Sequence, residues 1–72
     1  MENCRIRIGN RIAELRTQRG LTVRELAEKC GVTYQNINKI ENGKYSVGID
    51  VLSKIADGLG CKVEIVVCEG NL

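Results

Sequence analysis

Tyr34, Gln35, Asn38 and Lys39 fall at i, i+1, i+4 and i+5, a spacing that gathers them on one face of an α-helix. That set is rich in groups able to read the edge of a base pair. A glutamine can bond adenine through N6 and N7, and a lysine can donate to guanine. A tyrosine offers its ring to a thymine methyl or its hydroxyl to a phosphate. Each of these residues is also an ordinary surface residue, and taken singly each is more simply read as solvated. Their grouping, with Glu41 the one acidic residue of the stretch, favours a recognition surface, and Asn36 is expected to point to one side.

Other chemistries are poorly provided for. Histidine is absent, and no glycine-rich phosphate loop or paired carboxylate spacing is evident, so an enzyme is not expected. Cys4, Cys30, Cys61 and Cys68 could form two disulfides or a metal site, but no pair has the two-residue spacing of a zinc knuckle. With no secretory signal in view, reduced thiols acting as small apolar residues are the expected reading, above all for Cys30. No cofactor and no metal are implied.

The elements that would position the polar face follow from glycines and caps. Seventy-two residues support one domain over 1 to 72, with a small, tightly packed core and no second catalytic unit. Ile8, Ile12 and Leu15 repeat at i, i+4, i+7 and predict a first helix over residues 7 to 19, closed by Gly20. Thr22 and Glu25 have the spacing of a capping box, so a second helix begins at Val23, buries Leu26, Ala27 and Cys30, and ends at Gly31. Thr33 caps a third helix with Ile37 and Ile40 inward, ending at Asn42 and Gly43. Leu52, Ile55, Ala56 and Leu59 predict a fourth helix over residues 49 to 59. Ala27 and Gly31 allow the second and third helices to meet at a steep angle, as a helix-turn-helix over residues 23 to 42 requires.

Beyond Gly60 the period becomes two. Cys61, Val63, Ile65 and Val67 alternate with Lys62, Glu64, Val66 and Cys68, which predicts a β-strand over about residues 61 to 68. Charge is also uneven. Residues 1 to 44 hold nine Lys/Arg and five Asp/Glu, whereas residues 45 to 72 hold two and four. A basic first part suits a phosphate-bearing partner, although such asymmetry is a weak signal by itself.

The run GLTVRELAEKCGVTYQNINKIENGK resembles the helix-turn-helix of the Cro and phage-repressor (XRE-type) family, and the likeness covers residues 8 to 60. It implies a mainly α, four-helix lambda-repressor-like DNA-binding domain, here with a C-terminal β-strand where the family usually has a fifth helix. The implied activity is sequence-specific binding of double-stranded DNA by a transcriptional regulator, by family habit a repressor. Tyr34, Gln35, Asn38 and Lys39 would read bases. Thr22, the backbone N–H of Val23, Asn42 and Lys44 would hold phosphates, which agrees with the donor-rich start of a helix. Val23 stands where the family commonly has glutamine, so a side-chain phosphate contact is lost there. The resemblance also implies an ion pair between Arg16 and Glu41, either buried and structural or a loose surface contact.

A lone strand leaves its backbone groups unpaired, so a partner strand is needed. Within the chain only residues 4 to 8 offer one. Pairing with a second copy is therefore expected, through Val63, Ile65 and Val67 in a two-fold homodimer. Such a dimer would read a palindrome with half-sites roughly 10 base pairs apart, or a multiple of that. The alternative is an antitoxin-like component that holds a toxin-like partner protein through the strand or the acidic face around Asp50 and Asp57, and regulates its own operon. No apolar run reaches membrane-spanning length and no signal peptide is evident, so a soluble protein of prokaryotic or phage cytoplasm is expected.

Overall fold

The computed structural model describes residues 3–64, in which four helices follow one another: α1 (Cys4–Gln18), α2 (Val23–Cys30), α3 (Tyr34–Glu41) and α4 (Ile49–Gly58). α1 starts earlier than its apolar repeat predicts. Asn3 sets the start by accepting the Ile6 N–H at 3.0 Å, and the first turn adds only exposed residues, so periodicity carried no trace of it. Residues 4 to 8, the one internal candidate for a second strand, are thus the opening turns of a helix.

Three helices end alike. After α1, α3 and α4, a glycine with φ near +70° (Gly20, Gly43, Gly60) turns the chain in a left-handed conformation that a Cβ would disfavour. The next residue then bonds back five positions: Leu21 to the Arg16 carbonyl, Lys44 to Lys39, Cys61 to Ala56, at 3.1, 2.9 and 2.8 Å. Between α2 and α3 the turn is shorter. Gly31 ends α2 at φ +71° with a single bond to the Ala27 carbonyl, and Thr33 already caps α3.

The core lies where all four helices meet. Leu26, Ile37 and Ile55 are fully buried, with Ile40, Ile12, Leu59 and Cys30 around them. Each large aliphatic side chain removed from water in this way contributes about 1.5–3 kcal/mol, set against the entropy of ordering the chain. Cys30 acts as a small apolar residue of that core, whereas Cys4 is exposed and Cys61 half-buried. α1 reaches α3 by a route that leaves no room for a side chain. Gly9 is buried, and a Cβ there would stand 2.1 Å from the Ile40 carbonyl oxygen and 3.0 Å from that of Glu41.

The predicted C-terminal strand is not found among the described residues. Residues 61 to 64 form no strand, although their alternation survives: Cys61 and Val63 are half-buried against α1 and α4, and Lys62 and Glu64 are exposed. No ladder forms among the described residues. The Cys61 N–H closes the end of α4, and the segment that could have paired with it is helical. Ile65 and Val67, the other two residues assigned to the strand, lie outside the described residues.

Candidate nucleic-acid interface

α3 is mounted at both ends and free along one side. Its inner face, Ile37 and Ile40, is buried against α1 and α2, and its outer face presents Gln35, Asn38 and Lys39, all exposed. Asn36 is half-buried, its N–H held by the Thr33 hydroxyl at 3.4 Å. Tyr34, the first residue of α3, is also half-buried, because the guanidinium of Arg24 from α2 lies over its ring, 4.2 Å from the centroid. The four side chains expected to read bases therefore differ: three project outward, and the fourth is partly covered.

At the other end of α3, Glu41 would put a negative charge beside any phosphate. Arg16 from α1 meets it instead. The Arg16 Nε and Nη2 donate to the two Glu41 carboxylate oxygens at 2.7 and 3.1 Å, and Nη1 donates to the Leu21 carbonyl at 2.7 Å. The two side chains are only 16% and 9% exposed, so this is a shielded two-point clamp rather than a surface pair. The hydrogen bonds to Glu41 raise the Arg16 pKa above its usual value, outweighing the opposing effect of burial. One side chain thus joins the end of α1, the start of the next loop and the end of α3.

The residues expected to hold phosphates are built into helix ends. Thr22 and Glu25 form a reciprocal capping box: the Glu25 carboxylate accepts the Thr22 N–H at 2.9 Å, and the Thr22 hydroxyl accepts the Glu25 N–H at 3.1 Å. The backbone N–H and then the hydroxyl of Thr22 hold the Glu25 carboxyl below the usual carboxylate range. The start of α2 at Val23 remains a donor-bearing, partially positive helix end. Asn42 is committed in part, since its Nδ2 donates to the Asn38 carbonyl at 2.8 Å, which leaves the second amide hydrogen and the side-chain oxygen. Lys44 is exposed, and its backbone is locked by the bond to the Lys39 carbonyl.

Sequence reasoning passed over Arg24. Nine residues separate it from Tyr34, and only the turn between α2 and α3 brings the starts of the two helices together. Among the described residues no group of cysteine and acidic side chains could hold a metal ion, and no helix is long and apolar enough to cross a membrane. An apolar cleft of about 260 Å³ with no α3 residue in its lining is bounded by Ile8, Leu15, Leu52, Leu59, Cys61 and Val63, among others.

Comparison with known proteins agrees with this geometry. The helix-turn-helix family model HTH_3 matches residues 12–66. An uncharacterized HTH-type transcriptional regulator of Methanothermobacter thermautotrophicus is 47% identical over 49 residues, 68% of this chain and 71% of that protein. The immunity repressor of Bacillus phage phi105 is 34% identical over 65 residues, 90% of this chain but 45% of the repressor, so the chain spans less than half of that protein's length. The crystal structure of the clp gene regulator ClgR from C. glutamicum superposes with a TM-score of 0.83 at 29% identity, covering 86% of this chain and 80% of that one.

Proposed function

The chain belongs to the HTH_3 helix-turn-helix family of DNA-binding transcriptional regulators, and from that premise we propose that it represses transcription as a homodimer on a palindromic operator, each copy laying α3 in the major groove of one half-site. The observation that carries this reading is the outer face of α3. Gln35, Asn38 and Lys39 stand exposed in a row, and the nearest acidic side chain of that helix, Glu41, is turned into the clamp with Arg16.

Gln35, Asn38 and Lys39 reach base edges in this arrangement, with Tyr34 at the margin of the groove. Phosphates on one side meet the Thr22 hydroxyl and the Val23 amide at the start of α2. Phosphates on the other side meet Asn42 and Lys44 just past α3. Glu25 stands close to the first group, so the capping box that orders α2 also weakens the attraction there.

A single recognition helix covers only a few base pairs and discriminates poorly against a genome of competing sites. Two copies solve that problem. The apolar cleft between α1, α4 and residues 61 to 64 supplies a surface for a second copy without requiring a paired strand. The same cleft also favours a second reading, an antitoxin-like component that seats a partner protein there.

Selecting bound sites from random duplex DNA, with the mass of the complex measured alongside, tests both readings. A palindromic consensus bound by two copies supports the repressor reading, and repression is read by a reporter placed behind that site. An asymmetric site bound by one copy, or no selected site, overturns it. A stable second protein that copurifies from native cells in fixed ratio moves the choice to the antitoxin reading.

A further inference from the structure

Arg24 is the second residue of α2, and Tyr34 is the first residue of α3. The guanidinium carbon lies over the tyrosine ring, 4.2 Å from its centroid, at the seam where the two helix starts meet. Among the described residues Arg24 makes no ion pair and no side-chain hydrogen bond. Glu28, one turn further along α2, is exposed and does not reach it.

The nature of this tether matters. A carboxylate would hold an arginine by occupying its N–H donors and cancelling its charge. An aromatic face holds the same cation through its π electrons and leaves the donors and the charge available. The seam adjoins the end of α3 that enters the groove in the operator reading, on which this inference rests. A phosphate can be met by a mobile cation from many directions, whereas paired hydrogen bonds to O6 and N7 of guanine need a guanidinium whose plane is held in place.

We propose that Arg24 is a base-reading residue of this domain, taking a guanine near the outer end of the half-site, and that Tyr34 is the platform that positions it. The tyrosine ring face is then engaged by the protein itself rather than by a thymine methyl. The recognition surface thereby extends from α3 onto the start of α2.

The test uses the full chain. A preferred site is first selected from a random-sequence duplex DNA library with the wild-type protein, and each base pair of that site is then replaced in turn. Binding is titrated across several salt concentrations for wild type, Arg24→Ala, Arg24→Lys, Tyr34→Leu, Tyr34→Phe and the Arg24→Ala/Tyr34→Leu double variant. Arg24→Ala is expected to lose roughly tenfold to hundredfold discrimination at one G·C pair and to keep its other preferences. Tyr34→Leu loses the same preference, Tyr34→Phe retains it, and the double variant is no worse than either single change. Arg24→Lys keeps the salt slope and loses the discrimination.

Arg24 is exposed, so Arg24→Ala carries the test even if Tyr34→Leu folds poorly by circular dichroism. Unchanged base preference in Arg24→Ala, or equal weakening on every sequence with a shallower salt slope, overturns the assignment. Loss in Arg24→Ala without loss in Tyr34→Leu, where that variant is folded, overturns the platform. A wild-type protein that selects no site at all defeats the operator reading, and this inference falls with it.

Discussion

The two ends of α3 are held by opposite means. At its C-terminal end, backbone packs on backbone where Gly9 of α1 meets the Ile40 and Glu41 carbonyls, and Arg16 closes on Glu41 in a shielded two-point contact. At its N-terminal end there is a threonine cap, a three-residue turn and an exposed arginine resting on a tyrosine ring. The first end has no spare volume. The second is joined by a short turn and by side-chain contacts alone.

The sharpest way to break the comparison is Gly9→Ala. A methyl group placed 2.1 Å from a carbonyl oxygen forces α1 and α3 apart, and the expected loss is about 3–4 kcal/mol in urea unfolding, at the upper end of overpacking effects. Gly31→Ala is the control. Its Cβ meets nothing within 4 Å, so only the positive φ opposes it, at about 1 kcal/mol. Equal losses at the two sites would mean that the α1–α3 contact is no tighter than an ordinary turn.

Next in size is the clamp. Glu41→Ala leaves the Arg16 guanidinium shielded without its carboxylate, and about 2–3 kcal/mol should be lost, somewhat less than for a fully dry pair. Replacing both partners together, Arg16→Met with Glu41→Leu, should recover much of that stability. A double variant as weak as the single one would show that the charges themselves, and not the cost of an unpaired one, hold the end of α3.

At the start of α2 the effect is smaller and depends on pH. Thr22→Ala should cost about 1 kcal/mol near neutrality through loss of the cap. Glu25 is held below the ordinary carboxylate range when folded, so its contribution is complete above that range and fades as pH falls through the lowered folded value. Thermal melts followed from neutral to acid pH should therefore show the difference between Glu25→Gln and wild type shrinking at the acid end. A difference that stays constant throughout would remove the capping box as its source.

Smallest of all for the fold are changes on the outer face. Gln35→Ala and Lys39→Ala should leave stability within about 0.5 kcal/mol of wild type while relaxing base preference. Lys44→Ala should weaken all sequences alike and reduce the salt slope by about one. A large loss of stability from Gln35→Ala would place that residue in the mount and not in the readout.

Most of the motif was legible because it is local. Thr22 with Glu25, Thr33 ahead of Tyr34, and Gly31 and Gly43 at helix ends act within a few residues, and their geometry is the same wherever such residues occur. The apolar repeats of Ile37 and Ile40, and of Leu52, Ile55, Ala56 and Leu59, likewise name their own buried faces. The alternation after Gly60 was read correctly as one inward and one outward row as far as Glu64, but not as a strand. Alternation describes one segment, whereas a strand exists only through bonds to another.

What the sequence determined by itself is therefore the existence of the four helices, the threonine caps of α2 and α3 and the polar face of α3, since each rests on interactions between near neighbours in the chain. Only the tertiary structure decided that Gly9 is the point where α1 touches α3 and that Arg24 lies on Tyr34. Those outcomes depend on distances between groups far apart along the chain. Such distances are set by how the helices pack, and no run of residues carries them alone.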